Sequence, residues 1–446
     1  MKTLSKHKCR ATVVAAGSLL AMGLVANDVA AEGLFKELEG TIDHYGFKVG
    51  AWANAGITYN GNEPDNNFNG PVTFGDRASE FQLNQLNLFV QRAVATEGSA
   101  WDFGGRFDIM FGTDSVFTQA YGVPAFDVNT LAPMQRSTWD LDFLGSNSNR
   151  FYDFALPQAY LETYVPVGNG LNLKIGHFYT PIGFETVPAP DNFFYTHAYT
   201  MQYGEPFTHT GIMGNYTIDE HWAVMGGIVT GSSTGGWDGG WDQQLGNWDG
   251  LAGVTWTSTD KATSLNVAGT YGGTSEQSSQ SWGMYSIVLK HNINEKTHLM
   301  LQHDHGYANQ SFGFSGIADN EWYGINSHLY YDVSDKVVAG IRAEWFRDQN
   351  GFRVCSPGRV AAATDNKGVS YATGGNFLFL STCTPASYYE FTAGVTWKPK
   401  PWLSLRPNVR YDFVEDVATG AALPFSNGSK AVTDQVLFST DFTVTF

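Results

Sequence analysis

The sequence predicts an all-β protein: a transmembrane antiparallel β-barrel of about sixteen strands, with short periplasmic turns and long extracellular loops. Three observations predict it. Long stretches alternate apolar and polar residues with period two, the connections alternate between short and long, and the chain ends on a strand.

The first thirty-one residues stand apart from this pattern. Lys2, Lys6, Lys8 and Arg10 precede the uncharged stretch ATVVAAGSLLAMGLV, and VAAE follows with Val29 and Ala31 at the key positions of a small-residue cleavage site. Charged, apolar and small residues in that order mark a secretory signal peptide over residues 1–31, cut after Ala31. The expected mature domain is 32–446.

The first strand, YGFKVGAWANAGITYN (45–60), sets Tyr45, Phe47, Val49, Ala51, Ala53, Ala55, Ile57 and Tyr59 against Lys48, Trp52, Asn54, Thr58 and Asn60. WDFGGRFDIMFG (101–112) places Trp101, Phe103, Phe107, Ile109 and Phe111 opposite Asp102, Arg106 and Asp108. Such stretches exceed the usual globular strand and match a tilted bilayer crossing. Similar segments lie near 81–93, 155–165, 171–180, 207–218, 222–230, 251–259, 263–272, 282–293, 297–308, 322–333, 337–348, 388–398, 402–414 and 434–446. The 81–93 segment changes phase near Asn84–Gln85, which predicts a bulge, and Pro407 interrupts its strand.

The connections sort by length. TEGSA, PVGNG, DEH, TDK, NEK, SDK and KPKP are tight turns; long connections fall near 61–80, 113–154, 181–206, 231–250, 273–281, 309–321, 349–387 and 415–433. This alternation predicts a barrel in the bacterial outer membrane, with both termini on the periplasmic side. The final strand, DQVLFSTDFTVTF, must then pair with the first, because a closed barrel leaves no sheet edge in lipid. Phe446, with Val444 and Phe442 at the same parity, resembles the terminal signature that outer-membrane assembly machinery reads.

Composition narrows the function classes. The 446 residues carry 50 Gly, 15% aromatics, only 15% charged residues and a net charge of −17, with no basic run, which argues against nucleic acid as a partner. No HExxH motif, nucleophile elbow or Walker loop is present, so neither an enzyme nor a cofactor is expected. His303 and His305 share a strand face near His298, too few ligands for zinc. The Trp–Asp repeats of 235–250 read as an external loop, since their spacing is not that of a calcium site. Trp101, Trp222, Trp256, Trp282, Trp322, Trp345, Trp397 and Trp402 sit near strand ends, as in an interfacial girdle.

Residues 159–216 carry a more specific resemblance. The AYLE strand, the GNGL turn, the GHFYTPIGFE corner, the NFFYTHAY stretch and the EPFTHTG strand start resemble the putative beta-barrel porin-2 family. The resemblance implies an outer-membrane pore and passive transport without naming a solute. The residues of the corner argue a structural role: Pro181 and Gly183 bend the chain out of its strand, and Tyr195, His197 and Tyr199 pack the loop against the wall, in preference to forming a sugar-stacking platform.

About sixteen strands enclose a water-filled lumen. By parity its inner face carries Lys48, Asp102, Arg106, Asp108, Glu162, Lys174, Arg342, Glu344, Arg406, Arg410 and Asp412. Placing Arg or Lys toward mid-membrane lipid instead would cost about 2–4 kcal/mol each. The expected function is a passive diffusion channel for small hydrophilic solutes or ions. A substrate-selective channel and a surface adhesin using its long loops are the alternatives. Expected partners are outer-membrane lipids, the assembly machinery, the solutes, and further copies in a homo-oligomer. Cys355 and Cys383 form a candidate disulfide in an external loop. Arg342, Arg406 and Arg410 could form a basic wall opposite an acidic inward loop. The candidate loop is 113–154, with Asp114, Asp127, Asp140, Asp142 and Asp153; the competing reading pairs the arginines with Glu344 and Asp412 to hold the barrel's shape.

Overall fold

The computed structural model describes residues 46–118, 152–230, 248–274, 277–313, 316–354 and 384–446. Its strands are β1 (Lys48–Asn60), β2 (Phe81–Arg92), β3 (Asp102–Gly112), β4 (Asp153–Val165), β5 (Leu171–Tyr179), β6 (Thr208–Thr217), β7 (Trp222–Thr230), β8 (Trp248–Thr257), β9 (Thr263–Thr274), β10 (Gln277–Asn294), β11 (Thr297–Gly313), β12 (Gly316–Ser334), β13 (Val337–Asp348), β14 (Ala386–Lys400), β15 (Leu403–Leu405), β16 (Asn408–Glu415), β17 (Phe425–Asn427), β18 (Lys430–Val432) and β19 (Asp434–Thr445). A short helix, α1, spans Ser115–Thr118.

Every wall strand runs antiparallel to its neighbours. β19 pairs with β1 from Trp52↔Thr445 to Asn60↔Leu437, which closes the sheet. β15 and β16 both bridge β14 and β19, so they are two parts of one wall strand and the barrel has sixteen. The break falls at Pro407, which has no N–H to donate. Its carbonyl still accepts from Val395 N at 3.0 Å. β17 and β18 form a separate hairpin before β19.

The phase change in β2 is a bulge. Asn54 faces Gln85 and Ala55 faces Leu83, which leaves Asn84 as the extra residue. Two connections expected to be long are mostly strand. β10 begins at Gln277 rather than near 282, and β11 and β12 run to Gly313 and from Gly316. Their Gly, Ser and Asn content reads as loop, but the pairing extends along a tall hairpin.

The outer face is apolar and open to its surroundings: Leu88, Phe103, Leu161, Ile175, Ile228, Ile325, Phe391 and Phe438 are all exposed. That inverts the soluble pattern and suits lipid as solvent. The buried residues lie inside the barrel. One cluster gathers Phe178, Ile182, Tyr199, Tyr203, Leu251, Trp282, Trp322 and Tyr388; a second gathers Trp52, Phe74, Met110, Val187, Met201 and Phe207. Among the described residues no helix is long and apolar enough to cross a membrane.

Candidate functional site

The segment 180–207, between β5 and β6, is folded into the lumen and held there by the wall. It contains a 3-10 turn (Ala189–Asp191) and a π-helical turn (Thr200–Gly204) and is otherwise irregular. Irregular backbone at membrane depth needs protein partners for its N–H and C=O groups. Three wall arginines supply donors. Arg342 Nη1 donates to the Thr196 carbonyl at 2.8 Å. Arg406 Nη1 reaches the carbonyls of Ala189 (2.8 Å) and Asn192 (2.7 Å). Arg410 Nη1 reaches that of His197 at 2.6 Å. Glu344 supplies the acceptor: Tyr199 N (2.6 Å) and Thr200 N both donate to it, at the start of the π-helical turn. A carboxylate there meets the otherwise unpaired N–H groups of a turn's first residues.

Each arginine is also ion-paired. Arg342 bridges Glu390 (2.8 Å) and Glu185 of the inner segment (2.6 Å), Arg410 pairs with Asp412 (2.7 Å), and Arg406 pairs with Asp441. Arg342 and Arg410 are completely buried. The arginines therefore face packed protein instead of open water, which corrects the expectation of a basic pore wall. Of the two partners expected for them, Asp412 is one, and Glu344 instead caps the inner segment. The acidic loop 113–154 is described only at 113–118 and 152–154, so Asp127, Asp140 and Asp142 lie outside the described residues. Asp114 accepts from Asn84 and Gln85 at the end of β3.

The bulge contributes to the same seat. Asn84 accepts a hydrogen bond from the Tyr195 hydroxyl at 2.9 Å, and Gln85 donates to the Val187 carbonyl and accepts from Ala189 N. Gly183 adopts φ +91°, and a Cβ there would collide with the Glu205 carboxylate. Two of the segment's three acids have opposite fates. Burial pushes the Glu185 carboxyl up, but the Arg342 guanidinium and His197 outweigh it and hold it well below the usual range. Burial, and the Asp304 carboxylate beside it, push Glu205 well above that range.

The remaining expected pore residues lie at other heights. Lys48 is exposed at the start of β1. Asp102 pairs with Arg92 at 2.8 Å near the short-turn end. Arg106 pairs with the buried Asp108 at 2.6 Å and stacks on Phe89. Glu162 and Lys174 are cross-strand neighbours, with Lys174 over the Tyr160 ring. Phe446 is half exposed, with its backbone bonded to Ala51 in both directions. Cys355, Cys383, the leader and most of the Trp–Asp stretch lie outside the described residues. Trp282 and Trp322 are corrected from girdle to lumen: both are buried inside, and Trp322 Nε1 donates to the Gly204 carbonyl at 3.0 Å. His303 and His305 pack beside Tyr285, and His305 pairs with Glu321.

The wall opposite the arginines differs. From β5 to β9 the inward positions carry Asn172, Asn215, Met225, Gly253, Thr255 and Asn266, which line a cavity of about 630 Å³. It runs from the Pro181 corner to the short turns, where Glu97, Asp219 and Glu220 rim it. Sequence reasoning missed this wall because it listed charged residues only.

The family model described as "Putative beta-barrel porin-2, OmpL-like" matches residues 46–446. No curated protein matches the chain. Among solved structures, the outer membrane channel DcaP of Acinetobacter baumannii is similar at TM-score 0.53 and 10% identity, covering 90% of this chain and 97% of its own. Pseudomonas putida OprB aligns at 0.54 and 12%, with 92% and 96% covered. An anion-selective porin from Comamonas acidovorans aligns at 0.53 and 9%, with 90% and 99% covered.

Proposed function

The chain belongs to the putative beta-barrel porin-2 family, and we propose on that premise that it is a passive diffusion channel of the outer membrane for small hydrophilic solutes. The observation that carries the reading is a closed sixteen-stranded wall with an apolar exterior around a lumen that an inner segment narrows without filling. Sixteen strands enclose more space than wall side chains alone can occupy. The inner segment takes up one side, and the cavity along β5–β9 remains. The polar networks hold the segment in place.

The same reading includes export by residues 1–31 and an assembly role for Phe446. It places the termini at the periplasmic face and a Cys355–Cys383 crosslink in an external loop. It also includes assembly into oligomers. One of the fold's neighbours is OmpT of Vibrio cholerae in a trimer form. Purified protein in a planar bilayer should show discrete ohmic conductance steps, and proteoliposomes should swell in small neutral solutes. A bilayer that stays silent with a folded, heat-modifiable barrel would sink the channel reading.

A further inference from the structure

The inner segment is fastened asymmetrically. Toward β13, β16 and the break at Pro407 it is held by charge-assisted hydrogen bonds donated by Arg342, Arg406 and Arg410 and accepted by Glu344 and Asp412, and Asn84, Gln85, Gln302 and Trp322 add bonds from β2, β11 and β12. Toward β6–β10 the inward residues that cluster with its Ile182 are apolar, Met213, Val229, Leu251 and Met284; the polar residues beside them are His209, bonded to Thr180 at the segment's root, and Asp249, opposite Val229. Register puts Met213 opposite Gly227, and Gly227 opposite Leu251. Directly below lies the neutral cavity that ends at the short turns.

These two borders cost very different amounts to part. Separating the arginine border strands buried charges without partners, several kcal/mol for each pair. Separating the other border exposes a few apolar side chains, at about 25 cal/mol per Å². Narrow apolar constrictions close to ions by dewetting and open when they widen or become polar. The cavity leading to this border has amide and hydroxyl groups that both donate and accept, three carboxylates at its rim and, among the described residues, no basic residue in its lining. The inward cation of β5, Lys174, lies opposite Glu162 in register and over the Tyr160 ring.

We propose that solutes cross between the inner segment and the β6–β10 wall, at the apolar border of Met213, Val229 and Leu251. This border is the limiting constriction, and the route favours neutral polyhydroxylated solutes and small cations over anions. The inference rests on the channel reading and adds to it the route and the solute class. Amide-lined walls match hydroxyl-rich solutes, and carboxylates at the mouth raise local cation concentration at low salt.

The test uses planar bilayers and three variants of the full chain, each first checked for the heat-modifiable migration of a folded barrel. Leu251→Asn should raise single-channel conductance about twofold by wetting the border. Asn215→Trp, in the cavity below, should lower it by half or more. Joint substitution of Glu97→Gln, Asp219→Asn and Glu220→Gln should shift the reversal potential in a potassium chloride gradient away from cation preference. If wild type conducts while Leu251→Asn and Asn215→Trp leave its conductance unchanged, the route is wrong although the channel reading stands. If wild type prefers anions, the proposed solute class is wrong. If folded wild type does not conduct at all, the channel reading itself has failed.

Discussion

The two sides of the barrel wall solve different problems with the same strand geometry. From β11 round through the closure to β2, many inward residues are charged or amide-bearing, with Trp52, Met300, Trp322, Phe346 and Tyr388 among them, and almost all are buried beside the inner segment. From β5 to β9 the inward residues that line the cavity are small, apolar or neutral polar and border space, with Lys174 and Asp249 on the same strands outside its lining. An inward polar residue is thus no sign of water. On one side it replaces water for a piece of irregular backbone, and on the other it meets solvent. The arginine side fixes position; the neutral side leaves room.

The largest expected effect comes from the fixed side. Arg342→Ala leaves Glu185 and Glu390 buried and the Thr196 carbonyl without its donor. A destabilisation of about 3–5 kcal/mol is expected, read as a shift in the denaturant midpoint of the folded barrel. Open-channel current should also become noisier as the segment loosens. A midpoint within error of wild type would break the comparison, since the two sides would then be equivalent.

Gly183→Val should cost less, about 1–3 kcal/mol. It places a branched side chain at φ +91° and against Glu205, at the corner where the segment leaves β5. The same midpoint measurement checks it. An Ala substitution should fall between Val and wild type.

How much of this was legible beforehand depends on what parity can say. Alternation located the wall strands, most of them to within a few residues and β10–β12 without their upper ends, and the phase slip at Asn84 located the bulge. Parity also placed Arg342, Glu344, Arg410 and Asp412 on the inside. It says which side a residue faces and nothing about what meets it there. The partner is a segment that lies 145–146 residues before Glu344 and Arg342 and 213 before Arg410 and Asp412, and only long-range closure brings the two together. Trp322 was recoverable: it shares parity with Asn326 and His328, while Ile325, Leu329 and Tyr331 face outward. Position near a strand end overrode that parity signal. The extra height of β10–β12 was not recoverable from Gly- and Ser-rich composition, because pairing with a neighbour can hold such residues in a strand.

pH sharpens the comparison within the fixed side. Glu205 has its carboxyl raised in the folded state, by burial and by Asp304. The stability linked to its proton is present at acid pH and is lost as pH rises from the unfolded carboxylate's value, about 4.3, toward the folded one. Glu185 runs the other way. Its carboxyl is lowered, so its contribution is present above the unfolded value and fades as pH falls below it. Glu205→Gln should therefore flatten the loss of stability between weakly acid and neutral pH and leave the acid limb in place. A profile unchanged by the substitution would show that Glu205 binds no extra proton in the folded barrel.

A matched pair of threonines gives the smallest and most direct contrast. Thr392 on β14 is buried, and its hydroxyl donates to the Glu390 carboxylate that also holds Arg342. Thr255 on β8 lines the cavity, and its hydroxyl accepts from Asn266 at 2.8 Å. Valine has nearly the same shape as threonine and removes one hydroxyl at each site. At 392 the loss is a hydrogen bond to a buried charge, with no water to replace it, so Thr392→Val should cost about 1.5–3 kcal/mol. At 255 the amide released from Thr255 can turn to water in the cavity, and Thr255→Val should cost about 0.5 kcal/mol or less. Equilibrium unfolding of the two variants under identical conditions measures the difference. Equal costs would mean that the β5–β9 cavity is as dry as the arginine side. The contrast between a fixed wall and an open one would then have to be abandoned.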